Sequence, residues 1–189
     1  EDYYAVLVMN TILGGSFTSR LNQNLREDKG YTYGARSSFD AGPIPSAFIA
    51  TAAVQTDATG PSLREFMKEL RAIREGVTDE EVDRARNYLA MGFPAGFQSV
   101  SGIAGQLGDV VAYGLPVDDF NHYTRRVLAV TKRDVERVAR KYIDPENLVI
   151  VVVGDRARIE EQIRAENLGE IRFLEVKDVF GEPPTATED

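Results

Sequence analysis

The sequence predicts an α+β fold, an antiparallel sheet with helices packed on one side, and three observations point there. The helical and strand-like patterns do not alternate regularly, which disfavours a doubly wound parallel sheet. Two period-2 runs, YTYGARSSF and AFIATAAV, flank a turn-forming AGPIP and read as a hairpin. Near the end, LVIVVVGD is the strongest strand signal in the chain, rich in β-branched residues.

Each element follows from its pattern. Tyr4, Leu7, Val8 and Ile12 recur at helical spacing and stop at Gly14-Gly15, where glycine admits a positive φ. Ser16 and Thr18 are candidate caps of a second helix in which Phe17, Leu21 and Leu25 stack at i, i+4 and i+8, ended by Gly30. From Tyr31 the period changes to two, placing Tyr31, Tyr33, Ala35 and Phe39 on one face. A long helix carries Leu63, Phe66, Met67, Leu70 and Ile73 as an apolar stripe up to Gly76. Thr78 and Glu81 form a capping box for a helix through Val82, Ala85 and Leu89, interrupted by Gly92 and Pro94. Ser99 to Tyr113 reads as helix despite Gly102, Gly105 and Gly108. After the Leu115-Pro116 break come a short helix over Phe120 to Leu128 and one capped by Thr131, with Val135, Val138, Ala139 and Tyr142 on a shared face. Beyond LVIVVVGD, a helix with Ile159 and Ile163 precedes a short strand near IRFLEV. The organisation expected is one domain over residues 1–176 and a polar, Pro-containing, flexible tail over 177–189.

Composition narrows the function classes. At 189 residues and 43% hydrophobic, the chain is long enough to bury a core. A net charge of -8 argues against a nucleic-acid partner, because phosphates call for surplus Lys and Arg. No apolar run approaches the roughly 18 residues of a membrane span. With no Cys there is no disulfide framework, and thiol chemistry leaves the compartment unknown. The apolar helical pattern starts at once without an initiating Met, so an upstream segment of a longer polypeptide is expected.

Candidate chemistry is sparse. A catalytic zinc typically takes three protein ligands, mostly His and Cys, but His122 is the one histidine, so no metal or other cofactor is expected to bind this chain. The lone histidine equally limits Ser-His-acid catalysis, and no G-x-S-x-G elbow is present. LGGSFTSR lacks the Gly-Lys-Ser/Thr ending of a phosphate loop, and Gly154 stands alone where a dinucleotide fingerprint needs three glycines. The acidic clusters Asp79-Glu80-Glu81 and Glu160-Glu161 sit in first helical turns, where the helix dipole favours them. One pair stands out. Arg26 precedes the Gly30 turn by four residues and Tyr33 follows it by three, so both lie within about 10 Å of one corner. A guanidinium and a phenol there could hold a carbonyl or an oxyanion. By spacing alone the simpler account, an Arg snorkelling off a helix end and a Tyr packing on a sheet, takes precedence.

The stretch LGGSFTSRLNQNLREDKGYTYGARSSFD closely resembles a segment of the C-terminal, non-catalytic domain of bacterial processing-peptidase-like zinc proteases, a branch of the insulinase/pitrilysin family. Looser similarity continues through VTDEEVDRARNYLAMGF, GIAGQLGDVVAYGLP and DVERVARKYIDPENLVIVVVGD. The resemblance implies two domains closing like a clam shell, one with an inverted H-x-x-E-H zinc site and the other supplying an Arg-x6-Tyr pair that helps hold the peptide substrate. On this sequence the pair is Arg26 and Tyr33, with Tyr31 in reserve if the strand register differs. No H-x-x-E-H occurs here, so zinc is expected in a partner domain or chain, and this chain alone is expected to be inactive. The family's domains also begin with a strand or two upstream of the first helix, so the sheet is expected to lack its first strand or strands. An exported, periplasmic or secreted parent follows from family habit alone. The alternative is a catalytically silent scaffold subunit of the same fold, like the core proteins of respiratory complexes. An intact Arg-x6-Tyr pair favours the first reading, since a scaffold has no chemical need of both side chains.

Overall fold

The computed structural model describes residues 2–39, 47–116 and 118–181. Helix α1 (Tyr3–Asn10) runs into a π-helical turn, Thr11–Gly15. Its residues are apolar on nearly every side, as befits a helix enclosed by others, and Val8, Met9 and Leu13 are fully buried. Helix α2 (Arg20–Asn22) likewise widens into a π turn, Gln23–Asp28. Strands β1 (Thr32–Phe39) and β2 (Phe48–Val54) pair antiparallel. The AGPIP turn lies outside the described residues.

Helix α3 (Thr59–Glu75) buries Met67, Leu70 and Ile73 from the predicted stripe. In α4 (Asp79–Gly92) the Thr78/Glu81 capping box is formed, and in α7 (Lys132–Tyr142) a second box joins Thr131 and Asp134. Between them lie α5 (Val100–Tyr113), capped by Ser99, and α6 (Phe120–Leu128). Helices α8 (Arg156–Ala165) and α9 (Val176–Phe180) follow. The core is the meeting of α1, α3, α4 and α7, with Leu21 and Leu25 of α2 and Ala35 of β1 closing it from the sheet side. Asp2 pins the start of α1 to α7 through Arg137, Lys141 and Tyr142, at 2.7, 2.8 and 2.9 Å.

The fold is α+β, with an antiparallel sheet covered by helices on one side. Among the described residues that sheet has two strands. The expected strand in LVIVVVGD is not formed: Val149, Val151 and Val153 are exposed, while Leu148 packs against the core. Its β-branched residues supply propensity, but a strand exists only where a neighbour takes up its N–H and C=O groups, and no described segment does so. IRFLEV is also unpaired. Its Phe173 lies instead under the guanidinium of Arg156, 3.7 Å away, which ties the segment to α8. Residues 182–189 of the tail lie outside the described residues.

Helix α5 is an outlier: none of its residues is buried, and Val100, Ile103, Leu107 and Val111 face solvent. It touches the rest of the molecule through the 3-10 turn Phe93–Phe97.

The glycine pair ending the first helix works differently from the sequence reading. Neither glycine has a positive φ. Gly14 is instead a close approach, because a Cβ there would stand 2.5 Å from both the backbone nitrogen and the Oγ of Ser37. Strand β1 lies directly on the helix at this point. Gly14→Ala is therefore expected to push the strand off the helix at a cost of about 1–3 kcal/mol, read as a lowered midpoint in denaturant unfolding. An unchanged midpoint would mean that the strand is not seated there.

Candidate functional site

Helix α2 is held from three sides by alternate polar residues. Arg20 reaches α4, with Nε 2.6 Å from Glu81 Oε1 and Nη2 2.9 Å from Oε2, and also donates to the Gly76 carbonyl at 3.0 Å. Asn24 donates to Glu65 and Glu69 of α3, at 2.8 and 2.6 Å. Asn22, only 6% exposed, accepts the Ala35 N–H of β1 at 2.9 Å and donates to the Ser16 carbonyl and the Ser19 hydroxyl. Leu21 and Leu25, between these anchors, enter the core. Burial alone would raise the Glu81 carboxyl, but hydrogen bonds from Arg20 and Thr78 outweigh it and hold the group at about 2.

Arg26, two residues beyond Asn24, makes no side-chain hydrogen bond among the described residues. It sits on the π turn, a widened geometry frequent at functional positions. Its Nη1 is buried and has no hydrogen-bond partner. The Glu27 carboxylate is 3.1 Å from it, near enough for attraction but outside hydrogen-bond geometry. The guanidinium carbon lies 4.2 Å from the centre of the Phe17 ring. The turn then closes through Gly30, at φ +66°, a conformation that suits glycine, and Tyr31 donates its N–H to the Leu25 carbonyl at 2.8 Å.

Strict alternation places Tyr33 on the same face as Ala35. The structure corrects this. Thr32 pairs with Val54 and Ala35 with Ala52, so three steps on β1 oppose two on β2. The extra residue is a β-bulge at Tyr33-Gly34, and such bulges re-aim side chains. Thr32 and Ala35 face the core while Tyr33 is fully exposed, its phenol standing clear of the protein. Thr32 Oγ1 secures the bulge by accepting the Gly34 N–H at 3.1 Å and donating to the Ala53 carbonyl at 2.6 Å. Tyr31, the reserve position, is partly covered, and its carbonyl accepts the Gln55 N–H.

Arg26 and Tyr33 thus flank one turn, and no hydrogen bond joins their side chains among the described residues. A neighbouring groove of about 460 Å³, lined in part by Arg20, Asn24, Asp28, Lys29, Lys68 and Glu69, includes neither. Among the described residues no three His, Cys, Asp or Glu side chains converge as a metal site. His122 lies partly exposed on α6, with Nδ1 2.8 Å from Arg125 Nη2. The sequence reading missed two members of this corner. Phe17 is not stacked with Leu21 and Leu25 in the core but 63% exposed beneath Arg26, and Asn22 is the link between helix and strand. A buried Asn between two core leucines was the available signal for the second; nothing in spacing marked the first.

Residues 1–89 match the family model described as the peptidase M16 inactive domain. The matched part of the chain belongs to that family. A Mycobacterium tuberculosis relative named an uncharacterized zinc protease is 28% identical over 169 residues, 87% of this chain and 38% of the relative. A Helicobacter pylori relative named a non-peptidase homolog is 21% identical over 84% of this chain and 37% of its own length. The crystal structure of a peptidase M16 inactive domain from Pseudomonas fluorescens superposes with a TM-score of 0.68 at 29% identity, covering 76% of this chain and 34% of that one. The chain spans a little over a third of these curated relatives. The resemblance read from LGGSFTSRLNQNLREDKGYTYGARSSFD therefore holds over residues 1–89, and the chain is similar to the inactive domain of a zinc-protease family.

The M16 domain's Glu81 gives a pH signature. A carboxylate held near 2, against an ordinary value of 4.5, stabilises the fold fully above about pH 4.5, and that contribution is lost as pH falls towards 2. Because solvent partly screens the pair, Glu81→Gln is expected to lower stability at pH 7 by about 1 kcal/mol and to flatten the loss between pH 4.5 and 2, measured by urea unfolding across that range. A variant as acid-sensitive as wild type would show that the Arg20 pair is not formed in solution.

Proposed function

We propose that this chain is the substrate-binding, non-catalytic half of a zinc metalloendopeptidase, giving Arg26 and Tyr33 to a peptide site whose zinc ligands lie in an H-x-x-E-H domain or subunit. The observation that carries it is a pair of side chains at one corner that make no hydrogen bond among the described residues: the Arg26 guanidinium, whose neighbouring carboxylate is Glu27 at 3.1 Å, and the Tyr33 phenol, turned out to solvent by the bulge. Such a guanidinium and phenol can take a peptide carbonyl or the oxyanion formed from it. The corner is open surface, which suits one half of a site closed by a second body. Zinc supplies the hydrolytic chemistry from that second body. Arg26 and Tyr33 bind and orient the peptide, and donate to its oxygen.

The scaffold reading has one observation in its favour, the Helicobacter pylori relative named a non-peptidase homolog. Hydrolysis of a quenched fluorescent peptide by the assembled peptidase separates the two. Arg26→Ala and Tyr33→Phe are each expected to lower kcat/KM by about 10²-fold while circular dichroism shows an intact fold. Wild-type rates from both variants would make the pair structural and the chain a scaffold.

A further inference from the structure

We infer that Phe17 is a positioning residue, a ring platform that holds the Arg26 guanidinium at the corner where substrate would meet it; the inference rests on the reading that Arg26 contacts the peptide. A phenylalanine that is 63% exposed contributes little to a core, and its ring instead stands 4.2 Å from the Arg26 guanidinium carbon. A cation over an aromatic face is held electrostatically, and the guanidinium keeps its N–H groups free because the ring uses none of them.

The platform is itself fixed. Asn22 donates to the Ser16 carbonyl at 3.1 Å, Ser16 Oγ donates to the Thr11 carbonyl at 3.1 Å, and Ser19 N–H closes the turn on Ser16 at 3.2 Å. The residue before Phe17 is therefore tied both to the end of α1 and to α2. Asn22 also holds Ala35 at the edge of the bulge, so the ring and the Tyr33 strand share one anchor.

Glu27 Oε1 also lies 3.1 Å from Arg26 Nη1, so a carboxylate and an aromatic face both contact the guanidinium. The ring adds its hold without using any N–H group, which an ion pair alone would not do.

The test is a double-mutant cycle in the assembled peptidase, with hydrolysis of a quenched fluorescent peptide as readout and thermal unfolding as control. Phe17→Leu is expected to lower kcat/KM roughly tenfold with an unchanged unfolding midpoint, and Phe17→Trp to stay within about twofold of wild type. Combined with Arg26→Ala, Phe17→Leu is expected to cost nothing further. A full tenfold loss in the Arg26→Ala background would mean that Phe17 acts by itself, and the proposal falls. Wild-type activity of Phe17→Leu beside an impaired Arg26→Ala overturns the platform role alone, leaving the proposed function standing. Wild-type activity of Arg26→Ala removes both. Phe17→Trp as poor as Phe17→Leu would likewise overturn the claim that an aromatic face is what Arg26 needs.

Discussion

The structure depends on one seating: strand β1 laid against the end of the first helix at Gly14. With no side chain at that position, the Ser37 backbone approaches to where a Cβ would be 2.5 Å away. Two asparagines then take up the strand's polar groups. Asn10 donates to the Ser37 carbonyl and accepts from its hydroxyl, at 3.0 and 2.7 Å, and Asn22 accepts from Ala35. Buried polar groups must find partners, and these bonds give the hairpin a fixed place on the helices rather than a greasy contact that could slide. Everything at the Arg26 corner inherits its position from them. The bulge ends one residue before Ala35, and the turn bearing Phe17 hangs from the same Asn22.

Much of this was legible in the sequence. Apolar stripes gave α3 and α7, and the capping box at Thr78 and the cap at Thr131 fixed two helix starts, because those signals are local and obey a single period. The zinc-peptidase resemblance was carried by a stretch whose Arg-x6-Tyr spacing lies wholly within one helix-turn-strand unit. What failed was non-local. LVIVVVGD has the residues of a strand, but pairing is decided by a neighbour that periodicity cannot supply. Tyr33 was assigned to the wrong face because one extra residue against β2 resets the alternation, and a bulge has no signature in an alternating run. Phe17 at i-4 from Leu21 looked like core, yet α2 starts only at Arg20, and a residue ahead of the helix owes nothing to its period.

The corner combines rigid and unspent groups. Arg20, Asn22 and Asn24 hydrogen-bond to three different elements, so the backbone beneath Arg26 has little freedom. Arg26 and Tyr33, by contrast, keep donors unpaired. Recognition of an extended peptide benefits from that division, since ordering costs are met during folding and not again on binding.

Helix α5 sits at the other extreme. It has no buried residue, three glycines at Gly102, Gly105 and Gly108, and its main support is the turn Phe93–Phe97. Each glycine costs a helix about 1 kcal/mol relative to alanine, and no core contact repays it. Its opening is therefore governed locally rather than by global unfolding. Amide protons along α5 should exchange with solvent long before those of α1 or α7, and they should do so without disturbing the Arg26 corner. The domain thus has two levels of cooperativity, an interior that melts as one unit and a helix that comes and goes on its own.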